Sequence, residues 1–179
     1  LSEHGYDVTD VPADGEALMT TLLAGPTNAL SGRERKAGGV IFSLADYRIF
    51  FESLPAKVQD DVTQRWGAPE TDPFITTSTN GFLLPVHDFG NVVVAVQPAR
   101  GYNIDPKATY HDPDLVPPHG YFAFYMWLTQ EFDSHAVIHL GKHSNLEWLP
   151  GKALALSTSC LPEAAFAPVP QLYPFIVDD

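Results

Sequence analysis

The chain has 179 residues, 45% apolar and 18% charged, which is typical of one globular domain with a substantial core. Its formal net charge of −12 argues against a protein that binds a nucleic-acid phosphate backbone. Cys160 is the only cysteine, which excludes an internal disulfide and a cysteine-rich zinc site. Neither an apolar run of about 18 residues nor a signal-peptide pattern occurs, so a cytoplasmic location is expected.

Helical patterns dominate the first 80 residues of the chain. Apolar spacing and capping signals predict three helices, over residues 13–25, 43–54 and 55–67. Gly25 and Gly67 stand where helices commonly end. Ser43 and Asp46 have the spacing of a capping box, and Pro55 suits a first helical turn. Polar loops are expected between and after these helices, over residues 26–42 and 68–80.

Strand patterns appear after Gly81. The runs 82–86 and 91–97 flank the sequence HDFG and predict a hairpin. The aromatic run 121–132 predicts a buried helix, and 136–140 and 173–177 read as short inner strands. A strand, a helix and a strand in this order form a plausible right-handed βαβ unit from 91 to 140.

The expected fold class is therefore α/β, with a mixed, mostly parallel sheet, flanking helices and long ordered Pro-rich loops. The chain, 1–179, is expected to be a single domain-sized fragment of a larger multidomain protein. Residues 1–80 would be a helical and loop portion, and 81–179 an α/β portion that carries the candidate site. In such sheets, ligands bind beyond the carboxyl ends of the strands. The loops after Gln97 and Leu140 would share that rim.

Three groups that bind protons or metals lie at the end of the strand at 136–140 and just after it. His139, His143 and Glu147 could converge on one cavity if a strand ends at the first, and a short turn carries the last. Imidazole and carboxylate suit Co, Zn, Ni or Fe(II), and the same groups could accept protons from a ligand. The alternative is a core histidine beside a solvated acid, because HxxxH alone is a weak motif. The metalloprotease pattern HExxH is absent.

A second group of candidates lies between residues 97 and 125. It combines basic and aromatic side chains: Arg100, Lys107, His111 and His119 among Tyr102, Tyr110, Tyr121 and Tyr125. Such a set suits a flat ligand with carboxylates. An ordered Pro-rich loop explains it equally well, and His119 could simply be a helix-entry residue. Cys160 is expected to be a buried structural thiol, and no phosphate-binding signature for ATP occurs.

Several stretches resemble the large (N) subunits of aerobic cobaltochelatase. They are HLGKHSNLEWLPGKALALS, QPARGYNIDPKATYHDPDLVPPHGYFAFY, VPQLYPFIV and, near the N-terminus, DVPADGEAL and LLAGPTNAL. A sparser set resembles the related H subunits of magnesium chelatase: Gln97-Pro98, Gly101-Tyr102, His119, Tyr125, His139, Gly141, His143, Leu146-Glu147 and Pro150-Gly151-Lys152. Trp148-Leu149 resembles the cobalt branch, since the magnesium branch tends to have Phe-Met there.

This resemblance implies insertion of cobalt(II), the substrate metal, into the metal-free corrin precursor hydrogenobyrinic acid a,c-diamide during cobalamin (vitamin B12) biosynthesis. Two partner subunits of the AAA+ type would hydrolyse ATP to drive the ligase reaction, and this fragment alone would be inactive. Neither a nucleic acid nor a membrane is expected as a partner.

The resemblance also implies roles for the candidate residues. The catalytic and metal-binding residues would be His139, His143 and Glu147. The substrate would be bound by Arg100, Tyr102, His111, His119 and Lys152, with Arg100 and Lys152 meeting its carboxylates. The family usually has Gly where this chain has Ser144, so the loop there is expected to differ if the position requires positive φ.

Three alternatives remain open at this stage. The chain could belong to a magnesium chelatase protein of the H type, which metal and macrocycle preference would distinguish. It could be a non-catalytic tetrapyrrole or metal carrier, which lacks ATP-dependent incorporation. It could also be a structural module, in which case His143→Ala should lower stability and leave metal binding unchanged.

Overall fold

A computed structural model of the protein describes residues 1–30, 32, 36–102, 112–141, 146, 149–151, 157–166 and 168–174. Its helices are α1 Gly15–Ala24, α2 Leu44–Ser53, α3 Ala56–Trp66, α4 His119–Met126 and α5 Leu161–Ala165. A π-helical segment, Trp127–Glu131, continues α4, and 3-10 turns occur at Ser2–His4 and Pro69–Thr71. The strands are β1 Val40–Ser43, β2 Ile75–Thr76, β3 Gly81–Leu84, β4 Val86–Asp88, β5 Val93–Ala95, β6 Val137–Ile138 and β7 Gln171–Leu172.

The three helices predicted in the first 80 residues are confirmed. Helix α1 begins after Asp14, whose carboxylate accepts a hydrogen bond from the Ala17 amide at 2.9 Å. Ser43 caps α2 by accepting from the Asp46 amide at 3.0 Å. Gly67 ends α3 with a φ of 83°, a conformation that favours glycine. Local capping chemistry therefore determines where these helices begin and end.

The mixed helix-and-strand fold is confirmed, but the expectation of a mostly parallel sheet is wrong for the described residues. Strands β1, β3 and β2 form an antiparallel sheet in that order, and β4 and β5 form an antiparallel hairpin. Only β6 and β7, among the described strands, pair in parallel. The predicted βαβ unit is absent there because β5 pairs with β4, and β6 with β7.

Pro85 explains part of this difference. It lacks the N–H that a continuous ladder requires, and it separates β3 from β4, so the run 82–86 divides between two sheets. The hairpin predicted around HDFG is confirmed, although its two strands are shorter than the predicted runs. Within it, Val86 lies opposite Ala95. The three-stranded sheet also combines β1 and β2 with β3, so it draws strands from both sides of residue 80.

Helix α4 lies in the centre of the core. All eight of its residues are buried, as expected of a helix that is covered on every side. It packs against α2, β3 and α5, in a cluster that includes Tyr47, Phe51, Val58, Val62, Phe74, Phe82 and Leu84. The buried helix predicted from the aromatic run is confirmed, beginning two residues earlier, at His119. Within the described residues, no helix has the length and hydropathy needed to cross a membrane.

Candidate functional site

His119 lies at the first turn of α4 and is completely buried. Its Nε2 lies 3.0 Å from the Gly67 carbonyl oxygen, which can only accept, so Nε2 carries the proton. Its Nδ1 lies 2.7 Å from the Tyr47 hydroxyl, which therefore donates to it. Both ring nitrogens are thus used inside the protein. In this arrangement His119 offers no lone pair to a metal, as expected of a helix-entry residue.

Asp72 joins the start of α4 to the loop at residues 97–102. One carboxylate oxygen accepts from the Phe74 amide at 2.8 Å. The other accepts from the Gly120 amide, also at 2.8 Å, and from the Tyr102 hydroxyl. Pro118, at the N-cap of α4, makes no side-chain cap, so the distant Asp72 carboxylate satisfies a free amide of the first turn.

Burial controls the electrostatics of this network. It lowers the pKa of His119, because a charged imidazolium would lose its hydration. It raises the pKa of Tyr47 and Tyr102, and the nearby Asp72 carboxylate adds to both increases. Burial also raises the pKa of Asp72, although its three hydrogen bonds act in the opposite direction. Burial therefore opposes the charging of His119, Tyr47 and Tyr102, which suits a structural role for these three side chains.

Side-chain hydrogen bonds hold the loop at residues 97–102 to the rest of the protein. Gln97 donates to the Tyr125 hydroxyl at 2.7 Å, and Tyr102 donates to Asp72. Arg100 is 4% exposed and donates from Nη1 to the Asp112 carbonyl oxygen at 3.0 Å. The predicted substrate-binding residues Arg100 and Tyr102 are therefore buried, with their polar atoms turned to protein partners.

His139 lies in a different environment, immediately after β6. Its ring is half-buried, and its Nε2 lies 2.8 Å from Oε1 of Gln171 on β7. The ring also contacts two aromatic side chains, with centroids 6.3 Å from Phe166 and 6.0 Å from Tyr173. Among the predicted site residues that the structure describes, His139 is the one that reaches solvent.

Phe166 brings the two predicted groups of residues into one neighbourhood. Its ring lies 4.5 Å, centroid to centroid, from the ring of Tyr125, whose hydroxyl accepts from Gln97, and it also contacts the ring of His139. Phe166 also lines a groove of about 280 Å³ whose walls include Leu54, Met126 and α5. The loop after β5 is thus linked to the end of β6 through Tyr125 and Phe166, although the two strands belong to different sheets.

Four predicted site residues lie outside the described residues: His111, His143, Glu147 and Lys152. The described part of the chain contains no group of three His, Cys, Asp or Glu side chains that could hold a metal. The complete predicted trio therefore stays a prediction, of which the structure describes His139. Cys160 is buried and reduced, in agreement with the structural thiol expected from the sequence.

Comparison with known proteins places the chain in a family. All 179 residues match the family described as CobN/Magnesium Chelatase. The chain belongs to this family. It is 58% identical to the aerobic cobaltochelatase subunit CobN of a Sinorhizobium species, over 183 aligned residues that include the whole chain. It is 34% identical to the H subunit of magnesium chelatase from Chlorobaculum parvum over 179 residues.

A solved structure supports the same membership in the CobN/magnesium chelatase family. The catalytic subunit of cobaltochelatase from Mycobacterium tuberculosis superposes with a TM-score of 0.82 and 41% sequence identity, covering 99% of this chain. The chain corresponds to 15% of that subunit, and to 14% of the length of both the Sinorhizobium and the Chlorobaculum relatives. Resemblance to the large subunits of cobaltochelatase and magnesium chelatase, inferred from motifs, is thereby confirmed.

Sequence reasoning missed Asp72, Phe166 and Gln171. Asp72 lies within the predicted polar loop 68–80. The spacing of Asp72 and Phe74 is that of an Asx turn, which was the one local signal available. Its bond to Gly120 spans 48 positions, and the bond between His139 and Gln171 spans 32, so no local pattern reveals either.

Proposed function

We propose that this chain supplies part of the tetrapyrrole- and metal-binding core of a cobaltochelatase. The reaction is the ATP-dependent insertion of cobalt(II) into hydrogenobyrinic acid a,c-diamide during cobalamin biosynthesis. The observation that carries the proposal is the 58% identity to an aerobic cobaltochelatase subunit across the whole chain. The structural similarity to a cobaltochelatase catalytic subunit supports it.

The chemistry of insertion defines what such a core must do. A cation that enters the macrocycle replaces the proton carried by its ring nitrogens, so the site must accept a proton and hold a partly dehydrated cation. Imidazole binds cobalt(II) well and also accepts protons near neutral pH. His139 has the half-buried position needed to meet both a ligand and solvent. We propose that it acts with His143 and Glu147 as a proton acceptor or transient cobalt ligand.

The buried residues would contribute in a different way. His119, Tyr102 and Arg100 hold α4 and the loop at 97–102 in place through partners inside the protein. We propose that they shape the wall of the substrate site, and that direct contact with substrate carboxylates falls to His111 and Lys152. The metal-free corrin would then lie against a rigid surface, which lowers the entropy cost of binding.

ATP hydrolysis belongs in this proposal to two AAA+ partner subunits, since the chain carries no phosphate-binding signature. A carrier that binds without inserting metal would show no dependence on ATP or on those partners. Omission of ATP from a reconstituted reaction therefore separates an insertion enzyme from a carrier.

A role in magnesium chelatase is the second candidate, because all 179 residues of the chain align with an H subunit of that enzyme at 34% identity. Parallel reactions with cobalt(II) and the corrin precursor, and with magnesium(II) and a metal-free porphyrin, distinguish the two. We expect turnover with cobalt(II) and the corrin. Turnover only with magnesium(II) and porphyrin would transfer the proposal to the second candidate.

The decisive experiment is a metal-insertion assay with the full-length protein that contains this chain, its two ATPase partners and ATP. We expect His139→Ala to lower the rate about 100-fold, within the range for loss of a general acid–base group. His135→Ala is the matched control, because His135 is exposed and lies just before β6, whereas His139 lies just after it. Equal rates for the two variants would remove His139 from the proposed mechanism.

A further inference from the structure

The segment that contains β7 holds His139 on several sides. The His139 amide donates to the Leu172 carbonyl oxygen at 2.8 Å, which fixes the backbone beside β7. Phe166 and Tyr173, which flank that strand in the sequence, contact the imidazole ring. Gln171 provides a further contact, since its amide reaches the ring from the strand itself. One short segment therefore determines both the position and the orientation of this histidine.

The orientation of the Gln171 amide follows from its second partner. Its Nε2 lies 3.3 Å from the Val169 carbonyl oxygen. A carbonyl oxygen can only accept a hydrogen bond, so the NH₂ group must be the end that faces Val169. The other end of the amide, Oε1, is then the atom that faces His139 at 2.8 Å.

This orientation determines the tautomer of the neutral imidazole. Oε1 of Gln171 is also only an acceptor, so Nε2 of His139 must carry the proton. The lone pair then lies on Nδ1, and no hydrogen bond to Nδ1 occurs among the described residues. His119 has the same tautomer, but there the Tyr47 hydroxyl occupies Nδ1.

We propose that Gln171 is a positioning residue that keeps the Nδ1 lone pair of His139 available for an incoming cobalt(II) ion or proton. That this lone pair binds cobalt(II) or a substrate proton rests on the proposed function. The tautomer itself rests only on the geometry of Gln171, Val169 and His139. A partner that fixes the tautomer of a ligating histidine raises metal affinity about 10- to 100-fold in known sites.

The test uses side chains that can only donate or only accept. Gln171→Lys presents a donor to Nε2 and should move the proton to Nδ1, whereas Gln171→Glu presents an acceptor and should keep it on Nε2. Gln130→Lys and Gln130→Glu make the same charge changes at an exposed position in the π-helical segment. Nitrogen-15 NMR of the imidazoles in alkaline buffer reports which nitrogen of each ring is protonated.

We expect an unprotonated Nδ1 in the wild type, in Gln171→Glu and in both Gln130 variants, and a protonated Nδ1 in Gln171→Lys. A protonated Nδ1 in the wild type would overturn the inference. So would a tautomer that stays the same in Gln171→Lys and Gln171→Glu. Gln171 is exposed, so these substitutions remove no core packing, and the wild-type spectrum alone decides the tautomer if a variant is unstable.

A cobalt(II) titration of the same proteins separates this inference from the proposed function. We expect Gln171→Lys to weaken cobalt binding about tenfold or more relative to Gln130→Lys. If the tautomers respond as expected but cobalt affinity does not, Gln171 positions His139 and the ligand role of His139 is wrong. If the wild-type tautomer is reversed, the positioning role is wrong whatever cobalt does.

Discussion

His119 and His139 illustrate how differently one residue type can be used within a single chain. Both rings have a protonated Nε2 that donates to a protein oxygen. His119 is fully buried, and its Nδ1 accepts from Tyr47. His139 is half-buried at the end of a short strand, and the described residues leave its Nδ1 without a hydrogen bond. The two histidines therefore differ in the partner of the second nitrogen, which suits a structural role for His119 and the proposed reactive role for His139.

The two rings also differ in which parts of the chain surround them. His119 is held by Tyr47 and Gly67, and it shares the start of α4 with the Asp72 network. His139 is held by side chains of one nearby segment around β7. Substitutions near His119 should therefore affect stability first, and substitutions near His139 should affect binding first. The following predictions test that division, beginning with the largest effect.

Removal of the Asp72 carboxylate should cause the largest loss of stability. Asp72→Ala leaves three donors without their acceptor: the amides of Phe74 and Gly120 and the hydroxyl of Tyr102. At roughly 1–3 kcal/mol for each unsatisfied buried group, the free energy of unfolding should fall by about 4 kcal/mol. Urea denaturation measures it, with the exposed Asp60→Ala as a control that should change it by less than about 0.5 kcal/mol. Similar losses for both variants would show that the network does not stabilise the fold.

Replacement of each histidine by alanine should separate the two regions. His119→Ala opens a cavity and leaves the Tyr47 hydroxyl and the Gly67 carbonyl without their partner, so we expect a loss of about 3 kcal/mol. His139→Ala removes a half-buried ring and should cost less than about 1 kcal/mol. Thermal and urea unfolding measure both values. A larger loss at His139 than at His119 would reverse the proposed division.

Gly120 should tolerate no side chain. A Cβ at this position would lie 2.3 Å from Cδ2 of Phe74, so Gly120→Ala must displace a buried ring. Such overpacking should lower the free energy of unfolding by about 2 kcal/mol. Gly15→Ala is the matched control, because a Cβ there meets nothing within 4 Å, and it should be neutral or slightly stabilising. Chemical denaturation of the two variants provides the comparison.

The buried histidine should also make stability depend on pH. Burial lowers the pKa of His119 in the folded protein, whereas the unfolded side chain titrates near about 6.5. Between these two values the unfolded state binds more protons, so the free energy of unfolding should rise with pH and level off above about 6.5.

His119→Gln should remove this contribution, which is at most about 1.4 kcal/mol per pH unit. Burial also lowers the pKa of His87, so His87→Gln should remove a separate part of the slope. Urea titrations at a series of pH values measure both contributions. An unchanged slope in His119→Gln would contradict the assignment of His119 as a buried neutral group.

The sequence predicted the local features well, because their signals lie within a few residues of one another. The capping role of Ser43 and the ends of α1 and α3 at Gly25 and Gly67 follow from such signals. The pairing of strands was not predictable in the same way, since β1 and β3 pair across roughly 40 positions of sequence. A short apolar strand shows the same pattern whether its neighbour is parallel or antiparallel.

The candidate site was predictable only in part for the same reason. Motif resemblance identified the family, yet it could not distinguish His119 from His139. Their environments depend on partners 72 and 32 positions away in the sequence. A buried acceptor such as Asp72 likewise has the local signature of an ordinary polar turn.

The most direct test is a cobalt(II) titration of the wild-type chain, followed by its visible d–d absorption, alongside His139→Ala, His143→Ala, Glu147→Gln and the control His135→Ala. We predict saturable binding that the first three substitutions weaken, that His135→Ala leaves unchanged, and that is accompanied by no unfolding. Saturable binding with the same affinity in His139→Ala as in His135→Ala would contradict the account.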